Sequence, residues 1–403
     1  MLKTKSIFRA AIAIIAAFSF ASGQGAAEHR APDAQLRQSL QKKLDEWHAA
    51  GKFPGATLGV VLANGESFGL AAGFSDAEAK TRMRPNDRML AGSVGKTFAA
   101  AVALQLADEG KIDLDAKIEK YLGKETWFAR LPNARDITIR QLMNHTSGLV
   151  RYEFKPEFVR DLLSGPDKDW KPIEQTAYVF DEKPPFEAGK GWEYSDTNYI
   201  VLGMIMEKVT GRAFYDLADE RLIKRYKLAG TTPSYGPKID GLIQGYAGEQ
   251  NIFNVRNRMI EDGRLPFNPK FEWTGGGYVS TSEDLARWAR LLYGGDVLKP
   301  AMKKEMLDGV AARLGPNARY GLGVIIRPTD AGMSYGHSGF FPGYLTDMMY
   351  FPEKDIAIAV QVNTSVGQTL GKPLSRLLAE MAEAIEGPRK IDTGRAETGR
   401  LEN

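Results

Sequence analysis

Strand-like segments lie at both ends of this 403-residue chain, with a long helical stretch between them. That order restricts the fold more than any other feature. Near the start, "ATLGVVLANGESFGLAAG" reads as two strands joined by Asn64-Gly65, a pair favoured in tight hairpin turns. Towards the end, "YGLGVIIRP", "MSYGHSGFFPGYLTDMMYFP" and "DIAIAVQVNTS" carry further strand patterns. The segment from about Leu122 to Pro266 is instead rich in helical patterns, prolines and charges. If the early hairpin and the late strands pair, they make one antiparallel sheet, and the middle becomes an insertion. The expected fold class is therefore α/β (α+β). Residues 28–121 and 267–386 would form the sheet domain and residues 122–266 a helical insertion domain. Clefts between two such parts are frequent active-site positions.

Helical spacing supports this frame. Leu36, Leu40, Leu44 and Trp47 predict an early helix ended by Gly51, and a second helix should run from about Ser93 to Glu109 before Gly110. In "GGGYVSTSEDLARWARLLYGG", Ser282 is the expected cap of a helix whose apolar face is Leu285, Trp288, Leu291 and Leu292. A last helix is expected from about Pro373 to Ile385. The tail 387–403 is charged and expected to be disordered.

Residues 1–23 read as a secretory leader. Lys3, Lys5 and Arg9 form a basic head, Ala10 to Phe20 an apolar core, and Ala21-Ser22-Gly23 a cleavable end, with a cut after Ala27 as the alternative. The apolar core is shorter than the roughly 20 residues a membrane helix needs. The expectation is an exported chain, periplasmic or secreted, with no membrane span. The 53 basic residues less the leader's three leave 50, which match the 50 acidic residues. Such balance disfavours nucleic acid or an anionic membrane as partner. With no cysteine, disulfides, thiol catalysis and most zinc patterns are excluded. His29, His48, His145 and His337 stand far apart, so no metal or other cofactor is expected.

Three stretches could carry chemistry. In "AGSVGKTFAA", Ser93 and Lys96 are three residues apart on a helix start, and side chains so spaced are neighbours. A serine needs a base to become a nucleophile. A lysine serves only if its pKa, normally about 10.4, is lowered, as burial can do. The spacing alone is weak, because Ser39 and Lys42 repeat it inside an amphipathic helix. In "WEYSDTNYIVLG", Tyr194, Ser195 and Asp196 precede a helix, and a tyrosine near a cation can relay protons. In "YGHSGFFPGY", Gly339 would let a ligand lie against a strand, and the Phe340 N–H could donate to an oxyanion. No G-x-S-x-G stands at a strand-to-helix elbow, since the two matches, around Ser67 and Ser334, fall within strand patterns, so His145 reads as a turn residue before Gly148, not as a triad member.

Taken in order, Ser93-Val94-Gly95-Lys96, Tyr194-Ser195-Asp196 and His337-Ser338-Gly339 resemble the signatures of the serine β-lactamase and penicillin-binding protein superfamily. The version here is similar to its class C β-lactamase and D-alanyl-D-alanine carboxypeptidase branch. The resemblance spans about Leu36 to Ser365. It implies an antiparallel sheet flanked by helices with an all-α domain. It also implies Ser93 as the acylated nucleophile, Lys96 as its proton acceptor, and Tyr194 as the proton carrier to the leaving nitrogen. His337 stands where Lys is usual, Ser338 would orient a substrate carboxylate, and the N–H groups of Ser93 and Phe340 would form the oxyanion hole. Asp196 stands where Asn is usual, and an ionised Asp only accepts hydrogen bonds. Asp196 is therefore expected either to pair with Lys96 or to favour a substrate presenting an N–H or amine. The leading expectation is a D-Ala-D-Ala carboxypeptidase-like serine hydrolase. The alternatives are a β-lactamase, a carboxylesterase or a D-amino-acid amidase on the same site, and a non-catalytic cell-wall or β-lactam binding module. Partners would be a small peptide, β-lactam or ester, and peptidoglycan.

Overall fold

The computed structural model describes residues 30–385. The leader with its two cleavage points and the 387–403 tail lie outside them. The early strands are β1 (Gly55–Val61), β2 (Ser67–Asp76) and β3 (Thr81–Arg82). Three short strands follow: β4 (Met89–Leu90), β5 (Thr232–Pro233) and β6 (Tyr278–Ser280). The late strands are β7 (Val310–Ala311), β8 (Arg319–Tyr320), β9 (Ile325–Thr329), β10 (Gly332–Phe341), β11 (Tyr344–Phe351) and β12 (Ile356–Val362).

Early and late strands join into one nine-stranded antiparallel sheet, in the order β3-β2-β1-β12-β11-β10-β9-β8-β7. The seam is β1 against β12, from Ala56 opposite Val362 to Val61 opposite Ala357. Both strands are buried along their whole length, which fits their near-continuous apolar sequences. On one face Ala56, Leu58, Val60, Ile358 and Val360 meet helix α1 (Arg30–Ala50) and the helix Leu374–Ala384. On the other, a larger core holds helix α2 (Lys96–Asp108), the helix Ser282–Ala289 and the helices of residues 122–266. The small inner residues Ala357 and Ala359 belong to that second core. No helix among the described residues is long and apolar enough to cross a membrane.

Two local expectations change. The helix beginning near residue 281 is capped by Thr281, not Ser282. Thr281 keeps an extended backbone and its hydroxyl accepts from the Asp284 N–H at 3.1 Å. Ser282 already lies in the first turn, and its hydroxyl is buried 2.7 Å from the Thr57 hydroxyl of β1. The expected Ser93–Glu109 helix starts as a 3-10 turn, Gly92–Gly95, and becomes α-helical at Lys96. Gly110, at φ +71°, closes it as expected.

The site is built where four elements converge. α2 and the helix Thr197–Thr210 pack together with their N-terminal ends near each other. The turn Trp273–Gly276 lies beside both. β10 supplies the fourth side. β11 pairs with β10 out to Phe341, but β9 pairs only as far as Gly336. Residues 337–341 thus run on beyond the pairing with β9, and the Ser93 turn lies against them.

Candidate active site

Two glycines set the distance between the Ser93 turn and β10. A Cβ on Gly339 would stand 2.0 Å from the Ala91 carbonyl oxygen, and one on Gly92 2.5 Å from the Phe340 carbonyl oxygen. Gly92 also takes φ +53°, which side chains disfavour. Ser93 opens the turn, where N–H groups have no partner within the helix.

Lys96 is fully buried, and its ammonium has three acceptors for its three N–H groups. These are the Ser93 Oγ at 3.2 Å, the Gly275 carbonyl at 2.6 Å and the Asp196 Oδ1 in direct contact. Burial pushes the lysine pKa down, but the Asp196 charge, Tyr194 and the Asp196 hydrogen bond outweigh it, and the group is held above its ordinary value. Burial alone would have prepared a base, as the sequence suggested; the neighbouring carboxylate reverses the sign. Asp196 occupies the N-cap position of the helix Thr197–Thr210, yet its side chain does not cap. It turns to Lys96 and, through Oδ2, to Arg151 Nη2 at 3.1 Å. Burial raises its pKa, but Lys96, Glu153 and Arg151 outweigh that and hold the carboxyl well below the usual range.

Tyr194 presents its ring to Lys96, with Nζ 4.9 Å from the ring centre. Its hydroxyl is buried with no well-aligned hydrogen-bond partner among the described residues. Burial raises its pKa and Lys96 pulls against it, leaving the phenol at about 12. His145 packs 4.2 Å from the Tyr194 ring centre, and its Nδ1 accepts from the Ser195 N–H at 3.2 Å and the Asn198 amide at 3.0 Å. It therefore fixes the chain that carries Tyr194, the turn-holding role its sequence position suggests. His337 is also buried. Its Nδ1 faces the Ser338 carbonyl at 2.6 Å, an atom that only accepts, so Nδ1 carries the proton and Nε2 accepts from the Tyr320 hydroxyl at 2.8 Å. Burial lowers its pKa to about 3, so His337 is neutral here and supplies no cation. A cation does stand nearby: Arg327 on β9 reaches the Ser338 Oγ at 3.4 Å and pairs with Asp347 at 3.2 Å.

Two hollows flank Ser93. One, bordered by Arg151, Glu153, Asp196, Glu272 and Phe340, has room for about 50 Å³ of water positions. The other, bordered by Tyr194, Arg327, His337, Ser338 and Gly339, is more open and holds about 480 Å³. The first is rich in acid. Glu153 accepts from Arg151 Nε at 2.5 Å through Oε1, while its Oε2 is buried without a hydrogen-bond partner among the described residues. The Oε2 of Glu272 is in the same condition. Burial raises both carboxyl pKa values and the Asp196 charge adds to it; Glu272 reaches about 8. All eight sequence-derived residues come together: Ser93, Lys96, Tyr194, Asp196, His337, Ser338, Gly339 and Phe340 border these hollows or contact their lining. Sequence reading missed Arg151, Glu153, Glu272 and Arg327. A charged residue inside the apolar strand "GVIIRP" was the one available signal.

Comparison with known proteins bears on the family and the fold. Residues 36–383 match the Beta-lactamase family. Penicillin-binding protein 4* of Bacillus subtilis (strain 168) is 25% identical over 291 residues, covering 69% of this chain and 61% of that protein, so the chain spans less than two thirds of that relative. A D-stereospecific amidohydrolase from Streptomyces sp. superposes with a TM-score of 0.69 at 30% identity, covering 83% of this chain and 96% of that one. The D-amino acid amidase from Ochrobactrum anthropi SV3, complexed with D-phenylalanine, gives 0.74 at 25% identity, covering 87% and 99%. The chain belongs to the Beta-lactamase family of serine hydrolases.

Proposed function

We propose that this protein hydrolyses small D-amino-acyl amides or peptides with a free α-amine, through an acyl-enzyme on Ser93. The carrying observation is the acidic hollow beside Ser93: Asp196, Glu153 and Glu272 line it with Arg151, and the Oε2 atoms of Glu153 and Glu272 are buried without a hydrogen-bond partner among the described residues. Such atoms favour a donor, and a primary ammonium offers three. The narrow room in the hollow suits an alanine-sized acyl group. Preference for the D configuration rests on the two amidohydrolase neighbours.

In this reading Ser93 Oγ attacks the substrate carbonyl and its proton passes to Lys96. The N–H groups of Ser93 and Phe340 hold the oxyanion, where one donor is typically worth 10²–10³ in rate. Tyr194 carries the proton to the leaving nitrogen, and water then releases the acid. A carboxypeptidase reading keeps one observation: Arg327 and Ser338 in the open hollow could hold a leaving group's carboxylate. Export from the cell and the leader's cleavage belong to the same proposal.

The test compares kcat/KM for D-alaninamide, L-alaninamide, N-acetyl-D-Ala-D-Ala and a penicillin. The expected order places D-alaninamide about tenfold or more above the N-acetylated peptide, a difference of about 1.4 kcal/mol. A clear preference for the N-acetylated peptide or the penicillin would overturn the amine reading and favour the carboxypeptidase.

A further inference from the structure

The resting site contains a contradiction. The residue needed as a base is a fully paired ammonium: each Lys96 N–H has an acceptor, and one of them is the Ser93 Oγ itself. An amine that donates to Ser93 cannot take the proton of Ser93. Of the three acceptors only Asp196 carries charge, and Lys96 is otherwise sealed from water. The ammonium form is therefore held by one carboxylate. That carboxylate also borders the acidic hollow, where its Oδ2 and the Glu153 Oε1 pair with Arg151 and the Oε2 of Glu272 is buried without a hydrogen-bond partner among the described residues.

We propose that the substrate's own ammonium switches the base on: by entering the acidic hollow and pairing with Asp196 and Glu153, it takes the counter-charge away from Lys96, which then sheds a proton and becomes the acceptor for Ser93. This rests on the amine-substrate reading above. The proton balance is simple. A cation enters the cluster and one proton leaves Lys96 Nζ for bulk water by exchange through the Ser93 hydroxyl, which borders the open hollow, so the cluster's net charge is unchanged. The free Nζ lone pair then takes the Ser93 hydroxyl proton as Oγ bonds to the carbonyl carbon and the C=O electron pair moves to oxygen. A lysine buried without a counter-ion favours its neutral form. The effect makes Asp196 a positioning residue for the base as well as a ligand for the substrate. It explains why an acid at the usual Asn position need not disable the site. It also separates substrates by whether they carry a cation, before any difference in binding.

The experiment uses an acyl donor with no ammonium. Acylation of the wild-type protein by p-nitrophenyl acetate is followed by stopped flow with increasing methylammonium chloride, at constant ionic strength. Tetramethylammonium chloride, which has no N–H donor, is the control, and enzyme-free ester is the blank. Methylammonium should accelerate acylation tenfold or more and then saturate, while tetramethylammonium should not. Asp196→Asn should acylate faster than wild type without any amine and gain nothing further from methylammonium. A wild-type acylation rate that methylammonium leaves unchanged or slows would overturn the switch. Competition by methylammonium against D-alaninamide separates the two ideas. Competition without ester activation sinks the switch and leaves the amine substrate standing; neither effect sinks both.

Discussion

At the scale of single residues, the site is decided by charges that share a dry space. Lys96 is buried completely, which by itself would lower its pKa, yet Asp196 reverses the outcome. Its role as acceptor for Ser93 can be tested by Lys96→Arg. A guanidinium keeps the positive charge but does not deprotonate in a protein. Stopped-flow acylation by p-nitrophenyl acetate should fall by several orders of magnitude, and near-normal acylation would remove Lys96 from the role. Glu272 gives a prediction about stability. Its carboxyl titrates near 8 when folded and near 4.5 when free, because burial and then Asp196 disfavour the charge. Between those values the folded state holds a proton that the unfolded state has lost. Stability therefore falls as pH rises from about 4.5 to about 8, and this group has no further effect above that. Glu272→Gln removes the penalty. Thermal melts should show the variant gaining on wild type by about 3–4 kcal/mol between pH 5 and pH 8, since each pKa unit is worth about 1.4 kcal/mol. A constant difference across that range would contradict the burial account.

At the scale of elements, the contact between the Ser93 turn and β10 matters most. The strand extends beyond its pairing with β9, and Gly92 and Gly339 let the turn lie flat on that extension. Gly339→Ala puts a Cβ 2.0 Å from the Ala91 carbonyl oxygen. Two backbones must separate, which displaces the Phe340 N–H from the Ser93 N–H. The expected result is a loss of about 10²–10³ in acylation rate, the worth of one oxyanion donor. The melting temperature should fall only modestly, because β10 keeps its full pairing with β11. Labelling by a fluorescent penicillin at the wild-type rate would show that this spacing is not needed. The helix Ser282–Ala289 shows how local chemistry misleads by one position. By type Ser282 is the slightly better cap and Thr281 an acceptable one. Thr281 takes the role because Ser282 is drawn against Thr57 of β1.

At the scale of the whole molecule, one sheet is assembled from the two ends of the chain. β12 lies between β1 and β11 and is buried along its length. Removing it would expose the apolar edges of both neighbours and undo both cores. A chain ended after Lys354 should therefore show no cooperative melt by circular dichroism and no acylation, and a cooperative transition in it would contradict this assembly. The sequence by itself determined a good deal. Period-two apolar strands and the Asn64-Gly65 turn set the strands. Helical spacing set α1, α2 and the last helix. Three short motifs marked Ser93, Lys96, Tyr194 and β10, because backbone geometry and a few required residue types are local properties. Tertiary structure alone decided the charge states. Arg151, Glu153, Glu272 and Arg327 carry no motif, and the first three lie 45, 43 and 76 positions from Asp196, whose charge they meet. His337 is neutral where the resemblance usually has a Lys, and Lys96 is a cation where a base was expected. The reason is physical: a pKa depends on burial and on which charges lie within a few ångströms, and only folding brings those together.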